Sequence, residues 1–234
     1  MPNYSEFFYA PELLANVIAF DPGGTTGYCV MGVQPEALTA TDSLHENLKH
    51  IEYGQIDCGT KHGQTGAGMN RGHDGLNMPG EYAGIVQMMN LREDFKESPI
   101  VIEDFVLDVH KANRGRDLLT PVRIISGFSM LLQYSFGSEQ LERIFIQNRS
   151  LAKTTCTDER LRNWGLYDSS SGAHSRDATR HALYFLRDCC GNSYNASYKR
   201  YLAWPHLFDD PAQRTMDRST KTKKQVGQRI TGLG

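Results

Sequence analysis

Apolar and polar positions divide the chain into short segments of two different periods. Val17 to Phe20 is an unbroken apolar run that ends at Asp21; Pro22, Gly23, Gly24 and Gly27 punctuate the next stretch, and Tyr28 to Met31 is apolar again. This pattern predicts strand, tight turn, strand. Pro22 has no N–H for a ladder, so the first strand should stop there and leave Asp21 at its tip. The turn glycines are free to take positive φ and to let a bulky anion approach the backbone. Residues 34–48 read as a polar connection with a short helix. Lys49 to Cys58 alternates, with Ile51, Tyr53, Ile56 and Cys58 among polar neighbours, so the chain opens as a β-meander.

The period then changes. Glu81 to Lys96 carries Tyr82, Ile85, Val86, Met89, Leu91 and Phe95 at helical spacing. Ile100 to Ile102 is a short, wholly apolar run behind Pro99, as expected of a strand buried on both faces, and it ends in Glu103-Asp104. Thr120 to Tyr134 predicts a helix, with Thr120 as cap and Pro121 in the first turn. Arg143 to Gln147 predicts another short strand, Asn148 to Ala152 a turn, and Thr157 to Trp164 a capped helix ended by Gly165. A last helix is expected over about 175–189. There His174, Asp177 and His181 share one face, and Ala178, Ala182, Leu183, Phe185 and Leu186 supply the packing surface.

Three stretches lie outside these patterns. Residues 1–15 form a lead-in whose Phe7, Phe8, Tyr9, Leu13 and Leu14 dock on the domain. Residues 59–80 hold seven glycines and read as a flexible loop. Residues 191–210 form a partly ordered, aromatic-rich extension, and the polar, basic tail from Pro211 is expected to be disordered until it meets a polyanion. The chain therefore divides into a domain over 1–190 and an extension over 191–234.

Composition narrows the classes. A chain of 234 residues is long enough for a sizeable core. Its apolar runs are far shorter than a membrane span, and Met1-Pro-Asn-Tyr-Ser-Glu6 has no basic stretch before an apolar one, so neither a transmembrane helix nor a signal peptide is expected. Five cysteines without paired CxxC spacing argue against a disulfide framework or a zinc site, and a reducing cytoplasm fits best. The formal net charge of −2 does not advertise a nucleic-acid binder. The distribution does more: Lys and Arg concentrate at 111–123, at 143–162 and in the tail from Arg214 to Arg229, enough for one face to meet DNA.

The chemistry lies in the acids. Asp21 and Glu103 each end a strand, Asp177 sits in the first turn of a late helix, and His174 stands three residues before it. Taken separately, these are a turn aspartate, a strand-end glutamate and a helix N-terminal aspartate favoured by the dipole. Brought together, they require compensating charge, because carboxylates do not crowd in a low dielectric without it. An oxygen-rich set with one histidine suits Mg²⁺ or Mn²⁺ rather than zinc. Two such ions, about 4 Å apart, clamp the attacking and leaving oxygens of a phosphodiester.

Asp21-Pro-Gly-Gly-Thr-Thr-Gly27, Ile102-Glu103-Asp104 and His174-Ser-Arg-Asp177-Ala-Thr-Arg-His181-Ala-Leu resemble, in order, the motifs of the RuvC-type Holliday junction resolvases. These belong to the RNase H-like superfamily. The resemblance covers about 16–186 without the glycine-rich loop, and phage-encoded variants with a shortened Asp-Pro-Gly turn are similar. It implies an α/β, RNase H-like fold: a five-stranded mixed sheet flanked by helices on both sides. It also implies Asp21, Glu103, His174 and Asp177 as catalytic metal ligands, two Mg²⁺ ions with Mn²⁺ as a substitute, and Lys153 near the scissile phosphate. The activity implied is structure-selective cleavage of branched DNA, leaving a 5′-phosphate and a 3′-hydroxyl, by a homodimer in the cytoplasm of a cell or a phage host. The Thr120–Tyr134 helix is the candidate dimer face, and Lys111, Arg114, Arg116 and Lys153 are candidate DNA-backbone contacts.

The chain departs from that pattern in two places. The turn after Asp21 is one residue shorter than in the cellular enzymes, and Phe105 does not stand at the spacing of their aromatic wedge. Two other readings remain: a nuclease of the same fold acting on RNA or on replication or packaging DNA, and a sugar-kinase or actin-like ATPase suggested by Asp21-x-Gly-Gly-Thr. The second needs a further domain with its own glycine turn, and no second Asp-x-Gly-Gly-Thr occurs in the sequence.

Overall fold

β1 (Ala15–Asp21) lies at the middle of a five-stranded sheet because its Val17–Phe20 run is apolar on both faces, and all seven of its residues are buried. The structure is a computed structural model, and it describes residues 14–40, 44–58, 80–105 and 119–212. β2 (Thr25–Val33) returns antiparallel with Asp21 opposite Gly27, and β3 (Leu48–Asp57) continues the meander, with one register shift at Gly32 and Val33. On the other side β4 (Ile100–Glu103) runs parallel to β1, and β5 (Ile144–Gln147) runs parallel to β4. The order is β3-β2-β1-β4-β5. With helices on both faces, this is the α/β, RNase H-like architecture that the resemblance implied.

The helices are α1 (Pro35–Thr39), α2 (Gly80–Asp94), α3 (Thr120–Phe136), α4 (Arg149–Thr155), α5 (Asp158–Asn163), α6 (Ala173–Asp188) and α7 (Tyr194–Ala203). Alternation along the strands sorts them into two cores. Val17, Ala19, Cys29, Met31 and Val101 face Ala178, Ala182, Phe185 and Leu186 of α6, and Trp204 closes that layer. Ile18, Phe20, Ile100 and Ile102 face Ile85 and Met88 of α2 and Ile124, Phe128 and Leu132 of α3. Burying each of these larger side chains is worth about 1.5–3 kcal/mol. Phe20 and Phe128 meet edge to face, with centroids 5.5 Å apart.

Several local expectations are corrected. Gly23, Gly24 and Gly27 do not use positive φ; among the described residues the left-handed glycines are Gly137, Gly165, Gly172 and Gly191. Thr120 is the first residue of α3 rather than its cap, since Leu119 holds that position without a side-chain bond. The Thr120 hydroxyl instead donates to Glu81 of α2 at 3.2 Å, tying the two helices. Residues 149–155 form α4 instead of a turn, because Asn148 Oδ1 accepts from Ser150 N and starts a helix. Thr157 caps α5 as expected, accepting from Arg160 N. The aromatic extension yields α7, and the Trp204 indole N–H donates to the Asn16 carbonyl at 2.7 Å. The lead-in aromatics, the glycine-rich loop and the basic tail fall in or largely in stretches outside the described residues.

Candidate metal centre

Two parallel strands and one helix end at the same place. Phe20 pairs with Ile102, so the next residue of each strand, Asp21 and Glu103, leaves neighbouring strand ends side by side. The N-terminus of α6 then crosses the Asp21 turn at van der Waals distance. A Cβ on Gly27 would sit 2.0 Å from the His174 carbonyl oxygen, so Gly27 serves close approach rather than an unusual φ. Thr26 stiffens the turn, its hydroxyl donating to the Gly23 carbonyl at 3.1 Å.

This packing brings one carboxylate oxygen each from Asp21, Glu103 and Asp177 within 4.8 Å of one another, and all three residues are buried. His174 Nδ1 stands 2.7 Å from Asp21 Oδ2, and nearly half of its side chain is exposed. Burial, reinforced by Glu103 and Asp177, pushes the Asp21 carboxyl above its usual range even though the bond from His174 pulls the other way. His174 is raised as well, chiefly by its hydrogen bond to Asp21.

Cations surround the acids. Lys153 Nζ lies 2.5 Å from Asp177 Oδ2, which puts this sequence-expected lysine at the centre. Arg149 Nε lies 3.2 Å from Glu103 Oε1. Arg180 pairs with both Asp177 and Asp158, and its Nε–H donates to the Cys156 carbonyl at 3.0 Å. His181, fully buried, has Nε2 2.9 Å from Glu103 Oε2 and Nδ1 2.9 Å from Gln147 Oε1. The sequence assigned no role to Arg149, Arg180 or Gln147, and it placed His181 on a helix face shared with His174 and Asp177 and within the motif of the resemblance, without a role of its own. The i, i+3 and i+4 spacing of Asp177, Arg180 and His181 is the one signal that could have marked two of them out. Lys111, Arg114 and Arg116 lie outside the described residues.

The donor set fits a hard divalent cation. Three buried carboxylates offer oxygen ligands, and no thiol takes part. The five cysteines are free; Cys29, Cys156 and Cys189 are fully buried, and burial holds their thiols up, Cys29 to about 12, so they stay protonated at neutral pH. No described helix is long and apolar enough to cross a membrane.

No protein-family model matches the sequence. No curated protein matches it either. Nine chains of solved structures do, among them T. thermophilus RuvC in complex with a Holliday junction substrate. That match has 16% sequence identity and a TM-score of 0.45, and it covers 73% of this chain and 92% of the other.

Proposed function

We propose that this chain is a divalent-metal-dependent endonuclease that cuts branched DNA, four-way junctions above all. One observation carries the reading: Asp21, Glu103 and Asp177, from two parallel strand ends and a helix N-terminus, converge within 4.8 Å in a buried position. Buried carboxylates so close call for a cation, and the RuvC-like motifs occupy these same residues. The shortened turn after Asp21 and the His-x-x-Asp-Ala-x-x-His-Ala pattern of α6 favour the phage-encoded variants.

In this reading Asp21, Glu103 and Asp177 hold two Mg²⁺ ions, with His174 beside Asp21. The ions supply an activated water and charge neutralisation at the phosphate. The protein supplies the rest. The His174 Nδ1–H donates to Asp21 and fixes its rotamer. Lys153 and the more exposed Arg149 stand over the carboxylates from α4, where a phosphodiester would meet them first. Both are suited to bind non-bridging phosphate oxygens in the transition state. Lys111, Arg114 and Arg116 add backbone contacts that position DNA without reading sequence.

The enzyme acts as a cytoplasmic homodimer, the nuclease domain spanning 1–190 and the extension 191–234. The α3 face supports pairing: Val122, Met130 and Tyr134 are outward apolar side chains, and Tyr134 is 89% exposed.

The test is cleavage of four-way, forked and linear duplex DNA side by side, with Mg²⁺, Mn²⁺ or EDTA. Metal-dependent cutting of the four-way junction is expected, lost in Asp21→Asn and in Asp177→Asn. Full activity in either variant overturns the metal assignment, and preferential cutting of RNA or linear duplex overturns the substrate.

A further inference from the structure

We infer that His181 is a positioning residue for Glu103: clamped between two strand ends, its imidazole sets the orientation in which that carboxylate meets a divalent cation. The inference rests on Asp21, Glu103 and Asp177 being a cation site.

Three elements meet at His181. Glu103 ends β4, Gln147 ends β5, and the two are direct partners in the parallel ladder. α6 lays His181 across them, one turn beyond Asp177. Nε2 is 2.9 Å from Glu103 Oε2 and Nδ1 is 2.9 Å from Gln147 Oε1, with no part of the ring exposed. A core histidine that only needed partners would be satisfied by backbone carbonyls. This one reaches a candidate ligand carboxylate on one side and a second buried side chain on the other.

The two oxygens of Glu103 are held differently. Oε2 is anchored from inside by fully buried His181, whereas Oε1 faces Arg149 at 3.2 Å, a side chain 58% exposed and free to exchange with solvent. Oε1 is therefore the oxygen that opens toward a cation, while Oε2 stays fixed. Gln147 completes the clamp. Its Nε2 is buried without a hydrogen-bond partner, and half a turn of the amide brings that N–H onto His181 Nδ1. Gln147 then donates to Nδ1 and the Nε2–H donates to Glu103, a relay that selects one tautomer. Partners that orient ligands in this way commonly tune metal affinity as strongly as the ligands do.

The experiment uses the full chain without DNA. Mn²⁺ alone is titrated by calorimetry into wild type, His181→Leu, His181→Gln and Gln147→Met, with thermal melts in EDTA alongside. Leu keeps the volume and removes the donor; the Gln amide N–H returns a donor where Nε2–H stood. Expected are cooperative melts throughout, Mn²⁺ binding about 10–100-fold weaker in His181→Leu, recovery of most of that loss in His181→Gln, and a smaller weakening in Gln147→Met. Wild-type affinity in His181→Leu overturns the inference, as does equal weakening in the Leu and Gln variants, which marks a packing role. If His181→Leu does not melt cooperatively, Gln147→Met decides, and unchanged affinity there overturns the inference. If wild type itself binds no Mn²⁺, the cation-site reading fails instead.

Discussion

His174 Nδ1 lies 2.7 Å from Asp21 Oδ2, joining the first turn of α6 to the tip of β1 across 153 residues of chain. The contact has a pH signature. The imidazole pKa is raised in the folded protein, first by this bond. A raised histidine contributes stability that is fully present below its unfolded value of about 6.5 and is lost as pH rises through the folded value. In EDTA, urea unfolding of wild type should therefore show declining stability above about pH 6.5, and His174→Gln should flatten that slope. Parallel slopes would show that the pair does not form.

Lys153 faces Asp177 and Arg149 faces Glu103 with different exposure, and their variants should separate. Lys153 is tucked against Asp177, so Lys153→Met should lower kcat more than it weakens DNA binding. Arg149 is the more exposed, so Arg149→Met should weaken binding to all DNA sequences alike and reduce the salt slope of log K by about 1. Single-turnover cleavage and salt titrations of binding read the two effects.

Gly27 is where helix and hairpin meet most closely. Its missing Cβ leaves room for the backbone of His174 and Ser175, which cannot rotate aside as a long side chain would. Gly27→Ala should cost about 1–3 kcal/mol by overpacking and should also reduce cleavage, because the displacement moves His174 and Asp177. Thermal melts and activity measured on the same sample check both.

Trp204 lies beyond the stretch 16–186 that carries the sequence resemblance, yet it fills the core beneath α6. It is almost fully buried, and its indole donates to Asn16 at the start of β1. Trp204→Ala should destabilise by about 3–5 kcal/mol, measured by denaturant midpoint. An effect below about 1 kcal/mol, within the range of an ordinary surface change, would mean that 191–212 does not support the domain.

Much of the architecture was legible because side-chain period is a local property. The unbroken apolar run at 17–20 and the run at 100–102 marked strands covered on both faces, and both are central in the sheet. α6 was legible from its alanines and its polar stripe. Boundaries set by competing local bonds were less so. Asn148 bonded forward to Ser150 and made a helix where a turn was expected, and Thr120 bonded across to Glu81 instead of capping its own helix.

The sequence by itself determined the five strands, the helices α2, α3, α5 and α6, the two strand-end acids and the acid and histidine on one face of α6. These depend on neighbours a few residues apart. Tertiary structure alone decided that β4 lies parallel beside β1, which sets Asp21 next to Glu103, and that Gly27 admits α6 to bring Asp177 within 4.8 Å of both. It also decided which groups hold those charges in place. Arg149 and Gln147 lie in no motif, Arg180 and His181 stand in the α6 motif without an assigned role, and the His181–Glu103 contact spans 78 residues. The physical reason is that a buried carboxylate must be met by whatever donors packing brings within about 3 Å, and packing is settled by the whole sheet and its helices.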